Sequence, residues 1–195
     1  MKLSKIYSNR DNIFKPIYFN DGFNVIYGKV KRPKESDKDS HNLGKTLLIH
    51  LIDFLLLKEL KEGHFLYDNK KEFMGFEFYL EILLNSGKYL TIKRCVDNNT
   101  KICFKTHEEK FQDFKNLGDK QWDCSGVSIR KAVYKLDSYL SLDSIAPWPY
   151  RKGVSYFLRT QNDYQDVFQI SKFSIGEHAE WKPYLAKVLG FDDSL

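Results

Sequence analysis

The sequence predicts an α/β chain of an α+β-like kind, in which short antiparallel strands stand beside a strand–loop–helix unit. Three observations carry that expectation. Short aromatic and β-branched runs bounded by turn residues recur in the first third and again over 76–106. A long apolar stretch opens at Gly44-Lys45-Thr46 with no Gly or Pro inside it, and a second stretch, 128–139, spaces its apolar residues as a helix does. At 195 residues with 42% hydrophobic content, surface-to-volume scaling favours one core, so 1–195 is read as a single domain.

The elements follow in order. Leu3 to Tyr7 and Pro16 to Phe19 are strand-like, and Asn20-Asp21-Gly22 is turn chemistry before a third strand, Phe23 to Tyr27, ended by Gly28. The segment 29–38, KVKRPKESDK, has neither apolar periodicity nor turn length and is expected as an exposed basic loop. Thr46 to Leu60 is a mostly buried helix with its stop at Gly63. Phe76 to Leu84 and Lys88 to Val96 form a hairpin about Asn85-Ser86-Gly87, with Gly where positive φ is needed, and Ile102 to Thr106 adds a strand. Ser128 caps the helix that runs to Tyr139, and Pro147 and Pro149 break the chain. Val154 to Leu158 is expected as a buried strand ending at Arg159-Thr160-Gln161-Asn162-Asp163, and Glu180 to Leu189 as a last helix ending at Gly190.

Several function classes find no support. The longest apolar run, Leu47 to Leu57, is interrupted by His50 and Asp53 and falls short of the roughly 20 residues that cross a bilayer. The N-terminus lacks an apolar signal core, so a cytoplasmic location is expected and no membrane partner. Cys95, Cys103 and Cys124 are odd in number and lack paired spacing, which reads as reduced thiols. His107-Glu108-Glu109 lacks the second His of a zinc helix, and no Gly-x-Ser-x-Gly elbow occurs. A net charge of +5 permits DNA without predicting it.

The chemistry concentrates at Gly44-Lys45-Thr46. A strand, a loop and then this tripeptide opening an apolar helix gather backbone N–H groups around an anion, with the positive end of the helix behind them. Lys45 would lie along the β and γ phosphates, and Thr46 would give its hydroxyl to Mg²⁺. The full pattern G-x-x-x-x-G-K-[ST] requires Gly at position 39, where this chain has Asp39.

Three blocks, Gly22-Phe23-Asn24-Val25-Ile26-Tyr27-Gly28, then Asp39-Ser40-His41-Asn42-Leu43-Gly44-Lys45-Thr46, and Leu51-Ile52-Asp53-Phe54, resemble the N-terminal segment of an uncharacterised branch of SMC-like ATPases. That branch is related to the coiled-coil DNA-repair ATPases and is found among bacterial three-component ABC systems. The resemblance implies a P-loop NTPase fold, the N-terminal lobe of an ABC/SMC-type head, in which Asp39 is an expected departure. It implies ATP and Mg²⁺ as cofactors, with the nucleotide held by His41, Asn42, Leu43, Gly44, Lys45, Thr46 and Leu47. Gln161 would join Thr46 on the metal, an exposed loop amide being the equal alternative, with Asp163 and Tyr164 in the same lining. Ser8, Asn9 and Arg10 would approach phosphate or base, a solvated turn being the equal alternative. Arg94 would approach nucleotide or DNA, against a surface cation beside Lys93.

Catalysis in such heads also needs an Asp-ended core strand, a neighbouring Glu and a Ser-Gly signature helix. Neither Leu140-Ser141-Leu142-Asp143 nor Cys124-Ser125-Gly126 supplies them, so no catalytic residue is expected in this chain. The expectation is an N-terminal lobe whose coiled coil and C-terminal lobe begin beyond Leu195. Its partners by resemblance are that lobe, a second head joined through ATP as a homodimer, DNA, and other subunits of an anti-phage or DNA-surveillance system. A self-contained P-loop kinase, and a non-enzymatic interaction domain with a coincidental Gly-Lys-Thr, remain open alternatives.

Overall fold

The structure, a computed structural model, describes residues 1–27, 44–160 and 178–191. It is a mixed α/β chain whose contacts divide it into two units, Met1–Ala132 and Val133–Leu195. The first contains strands β1 (Lys2–Ser8), β2 (Ile17–Tyr18), β3 (Glu77–Leu83), β4 (Tyr89–Cys95), β5 (Lys101–His107) and β6 (Cys124–Ser128), with helices α1 (Lys45–Leu55) and α2 (Phe65–Asp68). The strands make one six-stranded sheet in the order β2-β1-β3-β4-β5-β6, every pair antiparallel.

The hairpin forms as the sequence predicts. β3 and β4 pair from Glu77↔Cys95 to Leu83↔Tyr89, and Gly87 turns the chain at φ 84°. Because strand side chains alternate, the register sorts this sheet into two faces. One carries Ile6, Phe78, Leu80, Ile82, Leu90, Ile92, Ile102 and Phe104, all buried, and α1 lies on β3 and β4 with Leu51, Phe54 and Leu55 buried. Its one buried charge is Arg94.

The opposite face carries Lys5, Tyr7, Glu77, Tyr79, Glu81, Thr91, Lys93, Cys103 and His107. The segment 108–123 supplies its cover. Tyr7 and Tyr79 stack with centroids 4.6 Å apart, and Tyr79 and Trp122 at 6.4 Å, with Phe114 and Leu117 packed on this cluster. Two charges bind the covering backbone in opposite senses. Glu81, fully buried, accepts the N–H groups of Phe111 at 2.9 Å and Gln112 at 3.1 Å, and the Ser4 hydroxyl at 2.6 Å. Lys5 donates to the carbonyl oxygens of the same two residues at 3.3 and 3.2 Å. Burial holds the Lys5 ammonium below its usual range, against the raising pull of Asp113 and Glu81.

Two expectations for this unit need correction. Phe23 to Tyr27 form no strand. No described strand pairs with them, and Asn24 folds the chain locally, accepting from Asn20 N at 2.7 Å and donating to Asn20 O at 3.0 Å and Gly22 O at 2.8 Å. Phe23, Val25 and Tyr27 stand 92%, 74% and 82% exposed, so β propensity alone does not make a strand where hydrogen-bonding partners are lacking. The long helix also stops at Leu55, five residues short of Leu60. Leu57 takes φ 67°, and Lys58 N–H returns to Asp53 O at 3.0 Å, which closes the helix before Gly63 is reached.

The chain passes into the second unit within α3 (Ile129–Leu140), of which Ala132, Leu136 and Leu140 are buried. α4 (Tyr150–Phe157) and α5 (His178–Val188) follow. The strand expected at Val154 to Leu158 is instead the second half of α4. No described strand of this unit offers it a ladder, whereas Lys152 N–H reaches Pro149 O at 3.0 Å and Leu158 N–H reaches Val154 O at 2.8 Å. Gly153 admits the Tyr184 ring from α5, since a Cβ there would lie 2.3 Å from its hydroxyl oxygen. Trp148 and Tyr156 flank Tyr184 at centroid distances of 5.7 Å, so the aromatic residues near Pro147 and Pro149 make a packed corner.

Candidate functional site

The predicted phosphate turn is described from Gly44 onward. Gly44 holds φ 74° and ψ 9°, a left-handed conformation that glycine adopts without steric cost, and α1 starts on the next residue. Its carbonyl accepts Leu48 N–H at 3.0 Å, but no side chain caps the helix and no acid lies in its first turn. Free N–H groups and the positive end of an eleven-residue helix therefore face outward beside Gly44. Lys45 and Thr46 are exposed, and neither side chain has a hydrogen bond or ion pair among the described residues. Leu47 is half-buried. Asp39, His41, Asn42 and Leu43, the loop 29–38, and Gln161, Asp163 and Tyr164 all lie outside the described residues.

Ser8, Asn9 and Arg10 are tied to the chain around β3. Ser8 is buried and its hydroxyl oxygen accepts Arg10 N–H at 3.1 Å. Asn9 exchanges bonds with Glu77 through its N–H at 3.1 Å and its Oδ1 at 3.0 Å, and Nδ2 donates to Gly75 O at 3.0 Å. The Arg10 guanidinium donates to Met74 O at 3.0 Å and lies 4.7 Å from the Phe76 ring centroid. These bonds fix the end of β1 to the loop entering β3.

Arg94 is no surface cation. Its guanidinium lies 4.0 Å from the Phe54 ring centroid, and its donors reach Phe54 O at 2.5 Å, Lys58 O at 2.7 Å and Asn99 O at 2.7 Å. It closes the C-terminal end of α1, where carbonyls lack partners and the helix dipole favours a cation. Beside it, Asp53 and Lys58 form an ion pair at 2.7 Å. Arg94 thus pins the far end of the helix whose first turn holds Lys45.

Between the N-terminal half of α1 and α2 lies a cleft of about 460 Å³, within the size range of small-molecule sites. Gly44, Thr46 and His50 line one side, and Phe65, Asp68 and Asn69 line the other. The turn into α2 shapes the second side. Gly63 stands at φ 83°, its N–H donating to Asp68 Oδ1 at 3.1 Å, and His64 caps α2 by accepting Leu66 N–H on Nδ1 at 3.2 Å. That bond places the His64 proton on Nε2, a buried donor with no partner among the described residues. Burial, then the charges of His50 and Lys58, push the His64 pKa down to about 4, so the ring is neutral near pH 7.

On the α2 side the sequence flagged only Gly63, as a helix stop. The readable signal for the rest was an aromatic and two side-chain acceptors within six residues of that glycine, which carries meaning only once α2 is folded against α1. The three cysteines are free thiols, and burial, with Glu77 beside it, pushes Cys95 up to about 12. Among the described residues no cluster of three His, Cys, Asp or Glu could hold a metal, and no helix is long and apolar enough to cross a membrane.

No protein family, curated protein or solved structure matches the chain.

Proposed function

We propose that the chain is the ATP-binding N-terminal part of an SMC-like ATPase head of the P-loop class. One observation carries the reading: Gly44 stands left-handed at the uncapped start of α1, with the Lys45 ammonium and Thr46 hydroxyl exposed and uncommitted beside it. An anion with several oxygens is what such a turn satisfies, since its amides need acceptors and Lys45 needs a counter-charge. Thr46 then ligates Mg²⁺ together with Gln161, and Asn42 and Leu43 close the ring from the loop. ATP hydrolysis draws its base and signature helix from a C-terminal lobe and a second head, and the working setting is DNA in a defence or surveillance system in the cytoplasm.

Calorimetric titration of ATP with Mg²⁺ tests this. The native chain binds, Lys45→Ala binds at least about tenfold more weakly because a phosphate-paired cation is worth well over 1 kcal/mol, and neither turns ATP over. Robust Lys45-dependent turnover by this chain alone points to a self-contained P-loop enzyme such as a kinase.

A second reading, a non-enzymatic interaction domain, is favoured by two observations. The described sheet is antiparallel throughout, whereas a phosphate loop ordinarily leaves a strand of a parallel sheet. The exposed Phe23, Val25 and Tyr27 would then be a docking segment. Equal heats for native and Lys45→Ala, or none for either, select that reading.

A further inference from the structure

The cleft beside α1 has two chemically unlike ends. At Gly44 and Thr46 it offers amide donors and the helix's positive end; at Asp68 and Asn69 it offers acceptors. Asp68 Oδ1 takes the Gly63 N–H, and its second oxygen has no bond among the described residues. Asn69 spends its amide N–H on Phe65 O at 2.8 Å, which leaves its own oxygen free to accept. Between them Phe65 is 37% exposed, its ring braced edge-on by Phe73 at 5.7 Å. A carboxylate repels phosphate, and an open aromatic face attracts a planar base. Among the described residues, this cleft is where a nucleotide with its phosphates at Gly44 can lay its nucleoside.

We infer that this cleft takes the nucleoside half of the bound nucleotide, with a purine base against the Phe65 ring and its exocyclic amino group donating to Asp68 and Asn69. This rests on the phosphate-site reading above and adds base recognition to it. The half-buried ring of His50 lines the α1 side, edge-on to the buried His64 at 5.5 Å, so that wall is braced from the core.

The test compares ATP, purine riboside triphosphate and inorganic tripolyphosphate, each with Mg²⁺, by calorimetry. Base stacking on an aromatic side chain makes ATP bind about tenfold tighter than tripolyphosphate. Phe65→Ala erases that difference while leaving tripolyphosphate binding unchanged, and Phe65→Trp keeps it. Asp68→Asn, which turns an acceptor into a mixed group, narrows the preference for ATP over purine riboside triphosphate, a change that loss of packing alone does not produce. Equal binding of ATP and tripolyphosphate by the native chain, or ATP binding unchanged in Phe65→Ala, overturns the inference and leaves the phosphate site standing. Binding of both ligands that survives Lys45→Ala, or no binding of either, removes the phosphate site and this inference with it.

Discussion

On the α1 side of the sheet, Ile6, Phe78, Leu80 and Ile92 bury aliphatic and aromatic surface against Leu51, Phe54 and Leu55, and Arg94 is the one charge among them. On the opposite side, Lys5, Glu81, Thr91 and His107 share the surface with Tyr7 and Tyr79, and 108–123 is the cover. The first face is held by burial, which is non-directional and roughly proportional to area. The second is held by directed bonds, in which the Glu81 carboxylate and Lys5 ammonium grip the amides and carbonyls of Phe111 and Gln112. Buried charges are tolerated there because each meets several partners. The contrast teaches that a helix can be docked by pattern alone, whereas an irregular segment, with no ladder of its own, needs side chains that satisfy its backbone.

Arg94 is the strongest polar link on the α1 side of the sheet. Arg94→Met strips donors from the Phe54 and Lys58 carbonyls at the end of α1 and from Asn99 O in the β4–β5 turn, and a loss of about 3 kcal/mol is expected from buried acceptors left unpaired. Urea denaturation measures it. Arg94→Lys should recover less than half, because a single ammonium nitrogen does not span the carbonyls that Nε and Nη1 reach separately. A loss below about 1 kcal/mol, the range of an exposed ion pair, would make Arg94 dispensable to the helix face.

Glu81→Gln weakens the opposite face. One acceptor becomes a donor facing N–H groups, so a loss of about 2 kcal/mol is expected. Hydrogen exchange reads where the loss falls: the amides of Phe111 and Gln112 exchange faster, while those of α1 keep their protection. Uniform acceleration across both faces would show that the faces do not open independently.

A pH-dependent effect separates the cleft from both. Because the folded His64 pKa lies near 4, below the ordinary 6.5, the unfolded chain binds the extra proton between those values. This contribution is full above about pH 6.5 and is lost as pH falls toward 4. His64→Asn keeps a capping acceptor for α2 and should flatten the stability profile across that window. A profile identical to the native one would show that His64 is not the group titrating.

The hairpin, β1, β5, α3 and the opening of α1 were legible because their periods and turn residues are local: Gly87 and the alternation on either side of it fix a register without any distant partner. What was illegible is long-range. Arg94 and Phe54 lie 40 residues apart in sequence, and Lys5 lies more than a hundred from the backbone it holds. No window of sequence contains both halves of such a bond. The same reason explains the two wrong strands. Phe23 to Tyr27 and Val154 to Leu158 have strand composition, but a strand is a pairing, and neither run meets a partner among the described residues. At the candidate site, Gly44, Lys45 and Thr46 could be named from order alone, while Phe65, Asp68 and Asn69 became visible only when α2 closed beside them.

On the function we propose, the first turn of α1 holds a triphosphate, and amide chemical shifts read it directly. In an ¹⁵N-labelled chain titrated with ATP and Mg²⁺, the N–H resonances of Gly44, Lys45 and Thr46 should move together and saturate, and in Lys45→Ala they should stay near their free positions. If those three resonances are unmoved in the native chain while ATP shifts signals elsewhere, or if they move equally in Lys45→Ala, the nucleotide is not held where this account puts it.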